Sequence, residues 1–257
     1  MIDAWFGGGG VFTPDLSFAL LALFVGLAYT AEAATGFGSI VIALTLGAQL
    51  YPVPELLPLL VPLSVMLTTW VVVRNRQHVD RALLFGRVLP RMAVGLALGF
   101  AIFVSVSTAW LTTGLGVLVI AVAAVEFHRA ASGAHASARP LGEAGFTGAT
   151  VGAGIMQGAV ASGGPMLVYA LGRLGLPKAR FRATLAFVWL ALNSALVASY
   201  IATGRLDRDT APFVALLVPV VFTALAFGNW LHHRLDEAAF RKVVLALLGV
   251  AGVALVF

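Results

Sequence analysis

Residues 56–73 read LLPLLVPLSVMLTTWVVV, a stretch of eighteen residues without a charged side chain. As an α-helix it extends about 27 Å, close to the roughly 30 Å of hydrocarbon in a bilayer. Nine further apolar segments lie at 16–34, 37–50, 92–107, 110–127, 144–160, 165–174, 183–203, 211–231 and 240–257. The pattern predicts an all-α polytopic membrane protein.

The composition of the chain points the same way. Of its 257 residues, 60% are hydrophobic and 11% are charged, whereas soluble domains carry about 25% charged residues. The net charge of +5 would suggest a nucleic-acid partner in a soluble protein. Here the basic residues lie in short loops between apolar segments, which is typical of cytoplasmic loops, so we expect no nucleic-acid partner. The chain has no cysteine, which excludes disulfides and thiol-ligated cofactors.

The two halves of the chain resemble each other. An offset of 127 residues aligns Gly36 with Gly163 and the pair Asp80-Arg81 with Asp207-Arg208. Such self-similarity is the signature of an internal duplication. We predict a first repeat at 1–127, a polar cytoplasmic linker at 128–141 and a second repeat at 142–257.

The second apolar segment of each half, at 37–50 and at 165–174, is too short to span a bilayer as a helix. Each is either the return limb of a re-entrant hairpin or the second part of a broken spanning helix. Hairpins place 14 of the 16 basic residues on the cytoplasmic side, whereas broken spanning helices place 9 there. The positive-inside rule favours the hairpins, although two fully crossing limbs would give the same count. The predicted fold is two inverted repeats, each a re-entrant or broken helical hairpin followed by three transmembrane helices, with both termini outside.

Glycine-rich breaks occur at matching positions of the two halves, ATGFGS at 34–39 and ASGGPM at 161–166. Irregular backbone within a membrane is stable only when it is buried in protein or faces a water-filled cavity. The helix after each break starts with unpaired N–H groups that carry partial positive charge. We predict that the breaks bind a small anion; the alternative is that these glycines only allow close helix packing. The candidate ligands are Thr35, Gly36, Phe37, Gly38 and Ser39 in the first break and Ser162, Gly163, Gly164 and Pro165 in the second.

Polar side chains inside the apolar segments extend this set of candidates. Glu32 is an acidic residue deep in an apolar segment, where ionisable groups are costly and usually functional. It is a candidate for proton coupling, or else a structural carboxyl. Gln157 and Asn193 carry amides that either donate to an anion or join helices.

Two arginines, Arg87 and Arg91, lie one turn apart on a stretch that we expect Pro90 to break. They either rim a cytoplasmic vestibule that attracts anions or contact lipid headgroups. The five histidines are scattered or adjacent, and their spacing predicts no metal site.

This layout resembles the TauE/SafE family of sulfite exporters over nearly the whole chain. Members typically carry a Gly-rich stretch in each half, and here Gly36-Phe37-Gly38-Ser39 and Ser162-Gly163-Gly164-Pro165-Met166 stand in those places. Phe37 replaces a glycine that many members have. The resemblance implies transport of sulfite, sulfoacetate or other organosulfonates, with export as the direction, across a bacterial inner membrane.

The expected function is a secondary transporter that exports small sulfur-containing anions by alternating access at a midplane site formed by the two breaks. The alternatives are a proton-coupled uptake permease for carboxylates or sulfonates, and an anion channel. We expect neither an enzyme nor a cofactor, since no nucleophile–base pair or metal-ligand cluster is visible in the sequence. The expected partners are the anionic substrate and the bilayer, and the many small residues allow a homodimer without requiring one.

Overall fold

The computed structural model describes residues 11–35, 38–132, 141–232, 253 and 256. Most of the predicted linker and the last apolar segment, at 240–257, lie outside these ranges. Within them the chain is helical and has no β-strand. The α-helices are α1 (Leu16–Thr35), α2 (Ser39–Gly47), α3 (Val53–Asn75), α4 (Arg81–Leu83), α5 (Leu89–Ser105), α6 (Thr108–Ser132), α7 (Glu143–Val160), α8 (Gly164–Gly172), α9 (Lys178–Ala202) and α10 (Ala211–His232).

Several of these helices are long and apolar enough to cross a membrane. They are Val53–Arg74, Arg81–Ser105, Thr108–Val125, Ala179–Ala202 and Ala211–Gly228. The prediction of an all-α polytopic membrane protein is therefore confirmed. The helix α6 continues to Ser132, five residues into the predicted linker. Its last residues include two alanines, which favour helix even where the hydropathy of the chain falls.

Pro90 does not interrupt its helix, contrary to the sequence-based expectation. A π-helical turn, Leu84–Val88, joins α4 to α5, so that helix runs from Arg81 to Ser105. In this turn the N–H of Leu89 donates to the carbonyl of Leu84, five residues earlier. The wider turn accommodates a residue that has a bulky ring and no N–H to donate.

Each half begins with a helical hairpin. In the first, the start of α2 contacts Glu32 near the end of α1, and a Cβ at Gly47, the end of α2, would lie 3.0 Å from Leu21. The short limbs α2 and α8 have nine residues each, about 14 Å of helix. They are too short to cross a bilayer, as predicted, and α2 folds back along α1.

The second hairpin has the same antiparallel form. Gly163, just before α8, packs against Ala153 of α7, and Met166, further along α8, reaches the earlier Gly152. The contacts therefore move backward along α7 as the chain moves forward along α8. Because the two limbs lie side by side, α7 and α8 are not two parts of one straight, interrupted helix.

The helix ends agree with the internal repeat. Adding 127 to the bounds of α1, α2 and α3 gives the bounds of α7, α8 and α9 to within two residues. The matched Asp-Arg pairs have a shared structural role. Asp80 accepts a hydrogen bond from the N–H of Leu83, and Asp207 accepts one from the N–H of Thr210. Both aspartates therefore cap the first turn of the helical segment that follows.

The chain forms two compact units, and each draws on both halves. Ser64–Ser107 and His128–Leu196 form one unit; Met1–Leu63, Thr108–Phe127 and Val197–Phe257 form the other, so far as these residues are described. We call the unit that contains the first break unit A. The unit that contains the second break is unit B.

The main helix pair of unit B is α5 with α7. Gly95 and Gly99 of α5 face Gly154 and Gly158 of α7, and a Cβ at any of these positions would lie less than 3.0 Å from backbone of the other helix. Glycine is needed here because the two backbones approach closely. This unit also holds an apolar core that includes Leu84, Met92, Phe146, Leu167 and Trp189.

Unit A repeats this pairing with the roles of the halves exchanged. Its helix α1 packs on α10. Thr30 of α1 lies opposite Ala224, with its hydroxyl 3.4 Å from the Ala224 carbonyl oxygen. Under the repeat alignment, α1 corresponds to α7 and α10 to α5. Each unit therefore joins the hairpin of one half to the equivalent helix of the other half.

Candidate anion-binding site

The second break begins with a left-handed residue. Helix α7 ends at Val160, and Ala161 has φ 51°, a conformation that costs an L-residue other than glycine about 1–2 kcal/mol. The N–H of Ala161 donates to the Gln157 carbonyl at 2.9 Å, and the N–H of Ser162 donates to the Met156 carbonyl at 3.3 Å. These bonds satisfy the last turn of α7 and hold the strained residue in place.

Ser162 and Gly163 are buried within the break. The Ser162 hydroxyl donates to the Val160 carbonyl at 2.9 Å. Gly163 has an ordinary helical backbone, with φ −71°, so it is not needed for a turn. It is needed for space, because a Cβ there would lie less than 3.0 Å from the carbonyl oxygen of Ala153. At this position close packing accounts for the glycine.

A chain of buried amides leads away from the break. The N–H of Gly163 donates to Gln157 Oε1 at 3.0 Å, and Gln157 Nε2 donates to Asn193 Oδ1 at 2.6 Å. Asn193 Nδ2 then donates to Ser64 Oγ at 3.0 Å. The three side chains are at most 4% exposed. The network joins α7, α9 and α3, as expected if the amides bind helices together.

The start of α8 retains unpaired donors. Gly164 and Pro165 form its first turn, and proline has no N–H. Among the described residues, the N–H groups of Gly164 and Met166 have no hydrogen-bond partner. They are the unsatisfied donors that a helix start presents to an anion, and they lie beside the amide network through Gly163.

The first break uses glycine for a different reason. Gly38 has φ 104°, a left-handed conformation that favours glycine, and a Cβ there would contact nothing within 4 Å. The following residue, Ser39, is buried, and its N–H donates to Glu32 Oε2 at 3.0 Å. Two other predicted ligands of this break, Gly36 and Phe37, and the side chain of Thr35 lie outside the described residues.

A tyrosine that the sequence analysis did not single out lies next to Glu32. The side chain of Tyr29 is fully buried, and its hydroxyl has no hydrogen-bond partner. It is three residues before Glu32 on α1, a spacing that puts both on one helix face, and it interacts electrostatically with Glu32 and lies beside Ser39. In the sequence, the i, i+3 spacing of Tyr29 and Glu32 is the feature that could have pointed to this tyrosine.

Arg87 and Arg91 both contact Glu143 and Phe146. The two guanidinium groups form ion pairs with the two carboxylate oxygens of Glu143, and they lie 4.7 and 5.8 Å from the centre of the Phe146 ring. This cluster ties the start of α7 to the π-helical turn and α5. Glu143 is 62% exposed, so the ion pairs themselves contribute little stability. The vestibule role of the arginines stays a prediction.

Comparison with known proteins agrees with the resemblance seen in the sequence. The family described as sulfite exporter TauE/SafE matches residues 18–255. A "probable inner membrane transporter protein TsaS" of Comamonas testosteroni is 26% identical over 171 residues, which make up 66% of this chain and 70% of that protein. No solved structure matches the chain. The chain belongs to the sulfite exporter TauE/SafE family and is a multi-pass membrane transporter, not an enzyme.

Proposed function

We propose that this transporter exports small sulfur-containing anions, such as sulfite, sulfoacetate or other organosulfonates, and that the second break holds the anion. The observation that carries the proposal is the start of α8, where the N–H groups of Gly164 and Met166 have no partner. The family name points to sulfite and export.

The chemistry of the second break suits a sulfonate. A helix start carries roughly half a positive charge, so it attracts an anion without a buried cation. The amide groups of Gln157 and Asn193 each use one hydrogen within the network, and each –NH₂ has a second hydrogen to donate. A sulfonate has three acceptor oxygens, so it can use several such donors.

Alternating access, with the anion held at the second break, is the mechanism that we propose from the sequence repeat. The inverted orientation of the halves and the exterior termini belong to the same proposal, supported by the distribution of Lys and Arg. An inside-negative potential favours export of an anion by about 2.3 kcal/mol per charge per 100 mV. Export of the anion without a coupled ion therefore needs no other energy source, whereas accumulation does.

Ligand-induced thermal stabilisation of the purified protein tests the site. Sulfoacetate, sulfite and acetate are added to the wild type and to Asn193→Asp, which puts a carboxylate of the same size into the network. We expect a sulfur anion to raise the Tm of the wild type and to leave the variant unchanged, because the new charge repels it. Thr150→Val is the control. Its hydroxyl is buried in α7 but bonds only to carbonyls of its own helix, so this variant should respond like the wild type.

Two results contradict the proposal. If no sulfur anion stabilises the wild type, the substrate class is wrong; if Asn193→Asp responds fully, the site is elsewhere. Counterflow in proteoliposomes then separates the transport modes, because an exporter exchanges labelled and unlabelled anion with saturation. Unitary currents in planar bilayers would identify a channel instead.

A further inference from the structure

The two short helices have chemically different caps at their starts. The N–H of Ser39 at the start of α2 donates to a carboxylate, Glu32 Oε2, at 3.0 Å. The N–H of Gly163, just before α8, donates to a neutral amide, Gln157 Oε1, at the same distance. Under the repeat alignment Glu32 corresponds to Ala159 and Gln157 to Thr30. The acidic cap is therefore a property of the first break alone.

The surroundings of Glu32 offer no neutralising cation among the described side chains. Helices α2 and α10 pack against α1, and the described side chains of both contain no ionisable group. On α1 itself the ionisable neighbour is Tyr29. An ionised Glu32 is thus stabilised chiefly by the start of α2, and an anion that approached this break would meet a like charge.

The unpartnered hydroxyl of Tyr29 suits a carboxyl group that changes its protonation state. An ionised carboxylate only accepts hydrogen bonds, whereas a protonated one has an O–H to donate. The Tyr29 oxygen is buried and has no partner, and it lies on the same helix face as Glu32, close to Ser39. A phenolic hydroxyl both donates and accepts hydrogen bonds, so it can serve the ionised carboxylate of Glu32 as a donor and the protonated carboxyl as an acceptor.

We propose that the two breaks divide the work of a proton-coupled cycle: the second break holds the anion, and Glu32, with Tyr29 and Ser39, carries the proton at the first. This inference rests on the proposed function. The proton moves from solvent to a Glu32 oxygen when the anion binds and returns to solvent when the anion leaves, so no other reactant is needed. A singly charged anion then crosses with one proton and no net charge, so its own concentration gradient, not the membrane potential, drives export.

Proton uptake on anion binding tests the division. Methanesulfonate is the probe, because it stays ionised throughout the pH range used. It is added to the purified wild type in weak buffer with a pH-indicating dye, and binding is followed separately by thermal shift. We expect about one proton taken up per anion by the wild type and none by Glu32→Gln, which should still bind methanesulfonate. Glu55→Gln is the control, since Glu55 is an acidic residue of the same unit that lies in the first turn of α3; it should behave like the wild type.

A second variant reverses the chemistry at the other break. Gln157→Glu places a carboxylate beside the anion, so we expect the affinity for methanesulfonate to fall at least about tenfold at neutral pH and to recover in acid. Tyr29→Phe removes this hydrogen-bond partner and should shift the pH range in which protons are taken up, with binding retained.

The outcomes separate the two proposals. If methanesulfonate fails to stabilise the wild type, the proposed function fails. If it binds both proteins and Glu32→Gln still takes up a proton, only the assignment of the proton to Glu32 is overturned.

Should Glu32→Gln not fold, infrared spectroscopy of the wild type decides the question. Methanesulfonate must then produce the carbonyl band of a protonated carboxylic acid, which the folded Glu32→Asp should also show, and absence of the band in the wild type overturns the inference.

Discussion

The close approach of Gly163 to α7 gives a quantitative prediction. A Cβ at Gly163 would lie less than 3.0 Å from the Ala153 carbonyl oxygen and 3.1 Å from Gln157 Cβ, whereas ordinary contacts begin at 3.4 Å. In Gly163→Ala the break must therefore move away from a helix backbone that cannot rotate aside. Overpacking of this kind costs about 1–3 kcal/mol, and the hydrogen bond from Gly163 to Gln157 would weaken, at about 1 kcal/mol. Alanine also makes the unfolded chain stiffer than glycine does, which favours the folded state by about 0.4–1 kcal/mol.

We expect Gly163→Ala to lower the free energy of unfolding by about 2 kcal/mol. The assay is reversible denaturation in mixed micelles of a mild detergent and sodium dodecyl sulfate. Gly172→Ala is the matched control, at the end of α8, where a Cβ would contact nothing within 4 Å; it should be neutral or slightly stabilising. Equal stability of the two variants would show that the break does not pack against α7 as described.

Three further substitutions should change the free energy of unfolding in a direction that the structure predicts. Ala161→Gly relieves the left-handed strain at the second break and should raise the free energy of unfolding by about 1 kcal/mol; a destabilised variant would contradict the φ of 51°. Asp207→Ala removes the cap before α10 and should cost about 1 kcal/mol at neutral pH. The Thr210 N–H holds the pKa of Asp207 below 3.8, so this contribution is complete above about pH 4 and is lost as the pH falls through the lower, folded-state value. A mutational loss that persisted undiminished in strong acid would refute the charged cap. Gly99→Ala should weaken the contact of α5 with α7 by about 1–3 kcal/mol, while Gly114→Ala, whose Cβ would meet open space, should not destabilise; denaturation in the same micelles compares them.

The long helices and the short limbs were predictable because they depend on local or repeating properties of the chain, whereas the choice between a hairpin and a broken helix stayed open. Length and hydropathy set the spans, and the 127-residue offset set the bounds of α7, α8 and α9 from those of α1, α2 and α3. The matched aspartates were visible as well, since a cap acts within one turn. Such features need no knowledge of which distant segments meet.

The partners in the site were not predictable, because they come from distant parts of the chain. Ser64 is 129 residues from Asn193, and a lone serine in an apolar helix carries no signal of an amide neighbour. Glu143 is similarly remote from Arg87. The helix break expected at Pro90 is absent because a π-helical turn accommodates the proline, and such a turn has no sequence signature as strong as proline itself.

The matching glycines show how one motif can meet two physical needs. Gly38 supplies a left-handed turn in open space, whereas Gly163 supplies room beside a helix backbone. In the second break the left-handed residue is an alanine, Ala161. The two halves therefore share the position of the helix interruption but not the way each break is built, and their caps are chemically different.

A neutral amide beside a helix start is well suited to a transport cycle. A buried arginine would bind a sulfonate strongly, but it would also be an unpaired charge whenever the site emptied, and such charges are costly in a membrane. The start of α8 carries only a partial charge and has Gln157 as a neutral partner for Gly163. The empty site therefore leaves no full charge unpaired in the membrane, and the loaded site can release its anion. The same reasoning makes a charged cap, like Glu32 at Ser39, unsuitable for holding the anion and suitable for holding a proton. The Gln157→Glu and Glu32→Gln variants exchange these two chemistries, and their opposite effects on methanesulfonate binding and proton uptake would establish that the cap decides which ion each break carries.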